Sequence, residues 1–225
     1  MSNGPENNPQ MTAGWGRRFA QRLVYLWPLK AVGTSVFMTL FFWGYFSILR
    51  APLSAPVEMP LIWLDRWVGF NPAAFPVYVS LWVYVSLPPA LMGSFRSLAS
   101  FGAWVGALSL FCLMIFWVWP TAVPVSDVDW TLHAGLSLIK GVDAGGNACP
   151  SLHVGSAVFA AFWLDRICKE LNTPGWLRVA NPLYCLAIAW STMATLQHVA
   201  LDVLAGAVVG TLFALASLHY TRKLT

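Results

Sequence analysis

The sequence predicts an all-α integral membrane protein, a bundle of six transmembrane helices with both termini in the cytoplasm. Three observations predict it. Of 225 residues, 58% are hydrophobic and 10% charged, where a soluble domain carries about a quarter charged residues. Six apolar stretches approach the roughly 20 residues a spanning helix needs. The 13 Lys and Arg residues divide unevenly between the two sides those stretches define.

Taken in order, residues 1 to about 15 are polar and rich in Asn, Pro and Gly, and read as a disordered cytoplasmic tail. Arg17, Arg18, Arg22 and Lys30 follow, interleaved with Phe19, Leu23, Tyr25, Leu26 and Trp27. That mixture predicts an amphipathic helix lying in the membrane interface. Residues 1–30 therefore form a tail and interfacial helix, and residues 31–220 the membrane domain. No cleavable signal is expected, because no small-residue cleavage site follows the first apolar run.

The spans fall near 31–49, 74–92, 98–119, 152–168, 181–196 and 200–219. The second carries Pro76, Pro88 and Pro89, which predict kinks. The fourth and fifth are short and are expected to extend into their loops. Between the first two spans, Pro60–Pro72 mixes Trp, Asp and Arg and reads as a surface-lying segment. The longest loop, about 120–150, holds Asp127, Asp129, His133, Lys140 and Asp143. A loop of that length is usually functional or partly helical. In the sixth span, Gly206 and Gly210 stand four apart, a spacing that lets helices approach closely.

Orientation follows from the basic residues. With a cytoplasmic N-terminus, ten of them (Arg17, Arg18, Arg22, Lys30, Arg96, Arg166, Lys169, Arg178, Arg222 and Lys223) fall on the cytoplasmic side. Three (Arg50, Arg66 and Lys140) fall on the other. The formal charge of +4 thus encodes orientation. No basic run with interleaved aromatics points to nucleic acid. The four cysteines lack metal-ligand spacing, and with Cys149 alone on the outer side no internal disulfide is expected.

One consequence carries functional meaning. His153 starts the fourth span, His198 ends the fifth and Asp202 starts the sixth, so all three lie at the non-cytoplasmic face. Pro150 and Ser151 read as a helix start, with a serine able to cap free N–H groups. A helix start is a ready anion site. His198 and Asp202 are four apart, hence neighbours on one helical face. A carboxylate beside one imidazole nitrogen sets the tautomer and raises the basicity of the other. Two histidines and a carboxylate can divide nucleophilic attack and proton transfer on phosphorus. A single histidine at a membrane end often only anchors the helix. Two with an Asp, costly near hydrocarbon without a partner, favour chemistry.

Asn147-Ala-Cys-Pro-Ser-Leu-His153 and Ser191-Thr-Met-Ala-Thr-Leu-Gln-His198-Val-Ala-Leu-Asp202 together resemble the second and third motifs of the type 2 phosphatidic acid phosphatase (PAP2) superfamily. Their Pro-Ser-Leu-His and Gln-His-x-x-x-Asp forms look more like its inositol phosphorylceramide synthase branch and bacterial relatives. The resemblance covers about residues 110–210. It implies a bacterial inner-membrane enzyme that acts on a lipid phosphate or phosphodiester at the periplasmic face, without a metal or other cofactor. His198 would be the nucleophile and form a phosphohistidine, Asp202 would orient it, and His153 would protonate the leaving group. Ser151, with nearby backbone N–H groups, would hold phosphate oxygens. Asn147, Gln197 and Lys140 complete the candidate substrate site.

The chain departs from that family in two places. The first motif, a lysine followed by an Arg-Pro pair, has no counterpart, and Pro120–Pro124 occupies its place. Ser191-Thr192 stands where Ser-Arg is frequent. Lys140 is the nearest substitute cation. A cation-poor pocket suits a phosphodiester monoanion better than a monoester dianion, which favours transfer of a phospho-head group to a lipid alcohol acceptor. Two other readings stay open: a metal-dependent membrane hydrolase using His153, His198 and Asp202 as ligands, and a non-enzymatic transporter or assembly subunit.

Overall fold

The computed structural model describes residues 14–142 and 145–222. Ten α-helices are found among them, with a two-stranded parallel sheet. The expected disordered tail lies outside the described residues, apart from Gly14 and Trp15, and so do Asp143 and Lys223.

Helix α1 (Trp15–Val24) is strongly amphipathic and buries no residue fully. Leu26, in the left-handed region at φ 53°, turns the chain into α2 (Trp27–Arg50). Lys30 therefore belongs to the first spanning-type helix and not to the interfacial one. It is buried, and its ammonium donates to the carbonyls of Arg22 at 2.6 Å and Ala90 at 2.8 Å. Strand β1 (Val57–Glu58) and helix α3 (Trp63–Val68) follow. Trp63 and Trp67 of this stretch are both exposed.

The second apolar run is broken. A 3-10 turn (Pro72–Ala74) leads into α4 (Phe75–Val79), and α5 (Leu81–Ala90) begins after Ser80. The break falls at Ser80, not at a proline: Pro76 occupies the first turn of α4, where a missing N–H costs nothing. Pro88 and Pro89 sit in the last turns of α5. Next come α6 (Phe95–Val118) and β2 (Thr121–Ala122). The long loop is partly helical, with a 3-10 turn (Trp130–Leu132) and α7 (Ala134–Val142). The chain closes with α8 (Leu152–Leu171), α9 (Gly175–Ala194) and α10 (Ala200–Arg222).

Helices thus stand at all six expected positions. Four of them, Trp27–Arg50, Pro72–Ala90, Phe95–Val118 and Ala200–Thr221, are long and apolar enough to cross a bilayer. Helices α8 and α9 have the length, at 20 residues each, or about 30 Å. The last turns of α8 are charged. Asp165 pairs with Lys169 and Arg178, and Glu170 with Arg166 and Arg22. These ion pairs tie α1 to the end of α8 farthest from His153.

Helix α8 is the central stave. Its Phe159, Trp163 and Ile167 are almost fully buried with Leu108 and Phe116 of α6 and Ile188 of α9. Its crossing with α10 is backbone on backbone. A Cβ on Gly206 would run into the Ser151 carbonyl oxygen, and one on Gly210 into that of Gly155. The structural role expected of the glycine pair is the one observed. Polar ties reinforce the bundle, with Trp163 Nε1 donating to Ser217 Oγ at 3.0 Å. Leu40, Trp43, Leu110, Leu186, Val208 and Leu212 face outward and are exposed, as lipid-facing side chains are.

Candidate active site

The site is built where three loops meet at the N-terminal end of α8. Strand β1 pairs with β2, and Thr121 of β2 also bridges to Asn147. Thr121 is fully buried. Its carbonyl accepts from Ala148 N–H at 3.0 Å and its hydroxyl from Cys149 N–H at 2.8 Å. Two hydrogen bonds from one residue thus fix the strip 147–149, and with it the direction of the Ala148 carbonyl.

That carbonyl holds the second histidine. His198 Nδ1 lies 3.0 Å from the Ala148 oxygen and 3.6 Å from Asp202 Oδ2. Only the first is a hydrogen-bond distance. A carbonyl can only accept, so Nδ1 carries the proton and Nε2 keeps its lone pair. Asp202 is fully buried. Its Oδ2 accepts from Val199 N–H at 2.9 Å, the acidic half of a capping box at the start of α10. Its Oδ1 has no donor among the described residues.

His198 reaches this place through an abrupt turn. Helix α9 ends at Ala194, and Leu196 takes φ 55° without being glycine. The N–H groups of Gln197 and His198 both donate to the Thr192 carbonyl, at 2.9 and 3.1 Å. Ser191, Thr192 and Thr195 are buried, with hydroxyls donating to carbonyls of α9. The pair Ser191-Thr192 is therefore part of the helix end and lines neither cavity described below.

His153 sits in the first turn of α8. Its ring stacks on Tyr78 (centroids 4.3 Å apart, 15° between planes) and meets Trp82 edge-on at 6.5 Å. Its Nε2 donates to the Tyr78 carbonyl at 3.2 Å, which leaves Nδ1 as the second nitrogen. Tyr78 ends α4 and Trp82 opens α5, so the break at Ser80 shapes this aromatic seat. Ser151 is fully buried. Its hydroxyl accepts from Val154 N–H at 3.2 Å, as the expected helix start requires. It caps α8 and lines neither cavity.

Both histidines line one groove of about 630 Å³. The groove runs between α2, α5, α6 and α8, with walls such as Phe37, Phe41, Phe46, Val85, Gly102 and Phe159. From Leu29 to Phe46 along α2 it extends about 25 Å at 1.5 Å per residue. A smaller polar compartment of about 190 Å³ adjoins it, lined by Lys140, Asn147, Gln197 and the backbone near Ala122 and Gly145. Asn147 and Gln197 border both. The Asn147 amide donates to the Tyr45 hydroxyl. Gln197 is buried, and its Oε1 has no donor among the described residues. Lys140 Nζ donates to the Leu196 carbonyl at 2.9 Å and lies 5.4 Å from the Trp130 ring centre. Arg50 and Arg66 line neither cavity.

Cys149 is buried beside the site. Burial, then the nearby Asp202 carboxylate, pushes its thiol up to about 11, so it stays neutral and is no nucleophile. Among the described residues, no three His, Cys, Asp or Glu side chains converge closely enough to hold a metal ion. The two-histidine, one-carboxylate ligand set has no geometric support.

Sequence reasoning missed Tyr45, Tyr78, Trp82, Thr121 and Asp65. The Leu64-Asp-Arg-Trp67 stretch around Asp65 stood out by its mixed composition and as a weak extension of the family resemblance, with no role given to Asp65. The others carry no local signal, since each reaches the site through tertiary contact.

This architecture is that of an integral membrane protein with a histidine–carboxylate site at one end of its bundle. The profile of the PAP2 superfamily matches residues 56–216, and the chain belongs to that superfamily. Membership places it among phosphatase-type enzymes acting on lipid phosphoesters at membranes. No curated protein and no solved structure matches the chain.

Proposed function

We propose that this protein cleaves a lipid phosphoester at the non-cytoplasmic end of a six-span bundle, through a phosphohistidine on His198. The observation that carries the reading is the pinning of His198 Nδ1 on Ala148, which leaves Nε2 with its lone pair on a ring that lines the groove.

The apolar groove takes the lipid chain from the side, and the phosphorus lies between the two histidines at its polar end. Nε2 of His198 attacks phosphorus and the bond to the leaving oxygen breaks. His153, protonated at Nδ1 with Nε2–H anchored on Tyr78, gives that oxygen its proton. The desolvated Asp202 carboxylate favours the positive charge that the phosphorylated imidazole carries. Water or a lipid alcohol, losing its proton to His153, then attacks phosphorus and frees His198.

The phosphate oxygens fall to the start of α8, where Ser151 takes the Val154 N–H and those of Leu152 and His153 remain as donors. Lys140, Asn147 and Gln197 line the compartment for the head group. Lys140 is the one cation among the described residues lining that compartment, which favours a phosphodiester over a dianionic monoester. This supports head-group transfer, as in the inositol phosphorylceramide synthase branch, over hydrolysis. The ten-to-three division of basic residues supports a non-cytoplasmic site, and the likeness to bacterial relatives of that branch suggests a periplasmic one in an inner membrane.

The test is product analysis with purified protein in EDTA, with and without an added lipid alcohol. Turnover lost in His198→Ala, with a transfer product only when the alcohol is present, supports the reading. Full activity in His198→Ala overturns it.

A further inference from the structure

The turn that presents His198, Thr195–Val199, is gripped at both ends by a segment from the other half of the chain. At one end the Asn71 N–H donates to the Ala194 carbonyl, the last of α9, at 2.8 Å. At the other, Asp65 Oδ1 accepts from the Ala200 N–H, the first of α10, at 2.7 Å. The remaining oxygen of Asp65 accepts from Ile62 N–H at 2.8 Å and so closes the start of α3. One carboxylate thus belongs to two helix starts, 135 residues apart along the chain.

The turn needs such support. Leu196 holds a left-handed conformation that is costly for a residue bearing a side chain. The two N–H groups around His198 share a single carbonyl. With Asp202 on Val199 and Asp65 on Ala200, the positive end of α10 is taken up by carboxylates of the protein itself. Its role is to hold His198, and the anion is left to α8. Helix α3 is placed to act as a reference plane. Trp63 and Trp67, 72% and 76% exposed, lie one turn apart on it, and tryptophans of this kind settle at the headgroup level of a bilayer.

We propose that Asp65 is a positioning residue for His198, and that α3 clamps the nucleophile's turn at a fixed depth beneath the lipid headgroups. This rests on the reading of His198 as nucleophile. Asp65 touches no substrate; it acts through the backbone of Ala200.

The experiment compares wild type, Asp65→Ala, Asp65→Asn and His198→Ala, as full-length protein in vesicles containing phosphatidylinositol, a phosphodiester, and a lipid alcohol acceptor. It records kcat, KM, thermal midpoint and the ring-nitrogen NMR signals of 15N-labelled histidines. Asp65→Ala is expected to lower kcat about 10²-fold with KM little changed, and to move the His198 signals while those of His219 stay in place. Asp65→Asn, which keeps an acceptor for Ala200, is expected to recover most of the rate. Wild-type kcat and unmoved His198 signals in Asp65→Ala overturn the proposal. So does equal loss of rate and fold in both Asp65 variants, which assigns the residue to stability alone. Should Asp65→Ala fail to fold, Asp65→Glu, which keeps the charge but displaces the acceptor by one methylene, decides: moved His198 signals with lowered kcat support the clamp, and unmoved signals with wild-type kcat overturn it. Activity surviving in His198→Ala refutes the nucleophile instead, and the NMR signals still judge the clamp.

Discussion

The Nδ1–H of His198 is donated to the Ala148 carbonyl oxygen at 3.0 Å, while the nearest oxygen of Asp202 stands back at 3.6 Å. The tautomer of this histidine is therefore set by a main-chain oxygen. The carboxylate contributes charge and a helix cap. Sequence reasoning had assigned the orienting role to Asp202 alone. The carbonyl could not be foreseen, because its direction depends on two hydrogen bonds accepted by Thr121 in a strand far upstream.

Asp202→Asn follows from this division of labour. The amide oxygen can still cap Val199, and Ala148 still holds the tautomer, so the fold survives and only the charge is lost. The rate should fall about 10²-fold, well short of the roughly 10⁴-fold seen where a carboxylate alone holds the tautomer. Steady-state kinetics with a thermal melt on the same sample checks both halves.

The crossing of α8 and α10 leaves no room for a methyl group. Gly206→Ala and Gly210→Ala should destabilise the protein by about 1–3 kcal/mol or more, visible as a lowered midpoint in detergent. Gly106→Ala, where an added Cβ meets nothing within 4 Å, should leave the midpoint unchanged or slightly raised.

If the groove holds the lipid chain, as proposed, its lining limits chain length. Gly102 lines it two turns into α6, with nothing within 4 Å of an added Cβ. Gly102→Leu should raise KM several-fold for substrates with long chains and leave short-chain substrates nearly unaffected. A chain-length series on both proteins measures this.

Cys149 should be inert. With its thiol at about 11, only about one molecule in a thousand is thiolate at pH 8. The ionised fraction rises tenfold per pH unit until it saturates above the pKa. Alkylating reagents at pH 7–8 should neither label Cys149 nor lower activity; mass spectrometry of the modified peptide reports it.

Much of the fold could be read from residue order. Apolar runs and Pro150-Ser151 located the five long helices, the broken run of α4 and α5, and the start of α8. The helices α8 and α9 run longer than their apolar stretches because the charged ends of α8 pair with one another and with Arg22. The break at Ser80 escaped notice because three prolines nearby gave stronger local signals. His153, His198, Lys140, Asn147 and Gln197 border adjoining cavities. Ser151 and Asp202 lie beneath that surface as a cap and a buried charge. Asp65, Tyr45 and Tyr78 were not legible, since hydrogen bonds to backbone across the bundle leave no spacing pattern.

The most direct test of the central claim is to trap the intermediate. Wild-type protein, mixed with a lipid substrate radiolabelled at phosphorus and quenched in base within one turnover, should carry base-stable, acid-labile label on the peptide containing His198. His198→Ala should carry none and show no turnover. Rapid product release from wild type with no label on that peptide at any time would contradict the account.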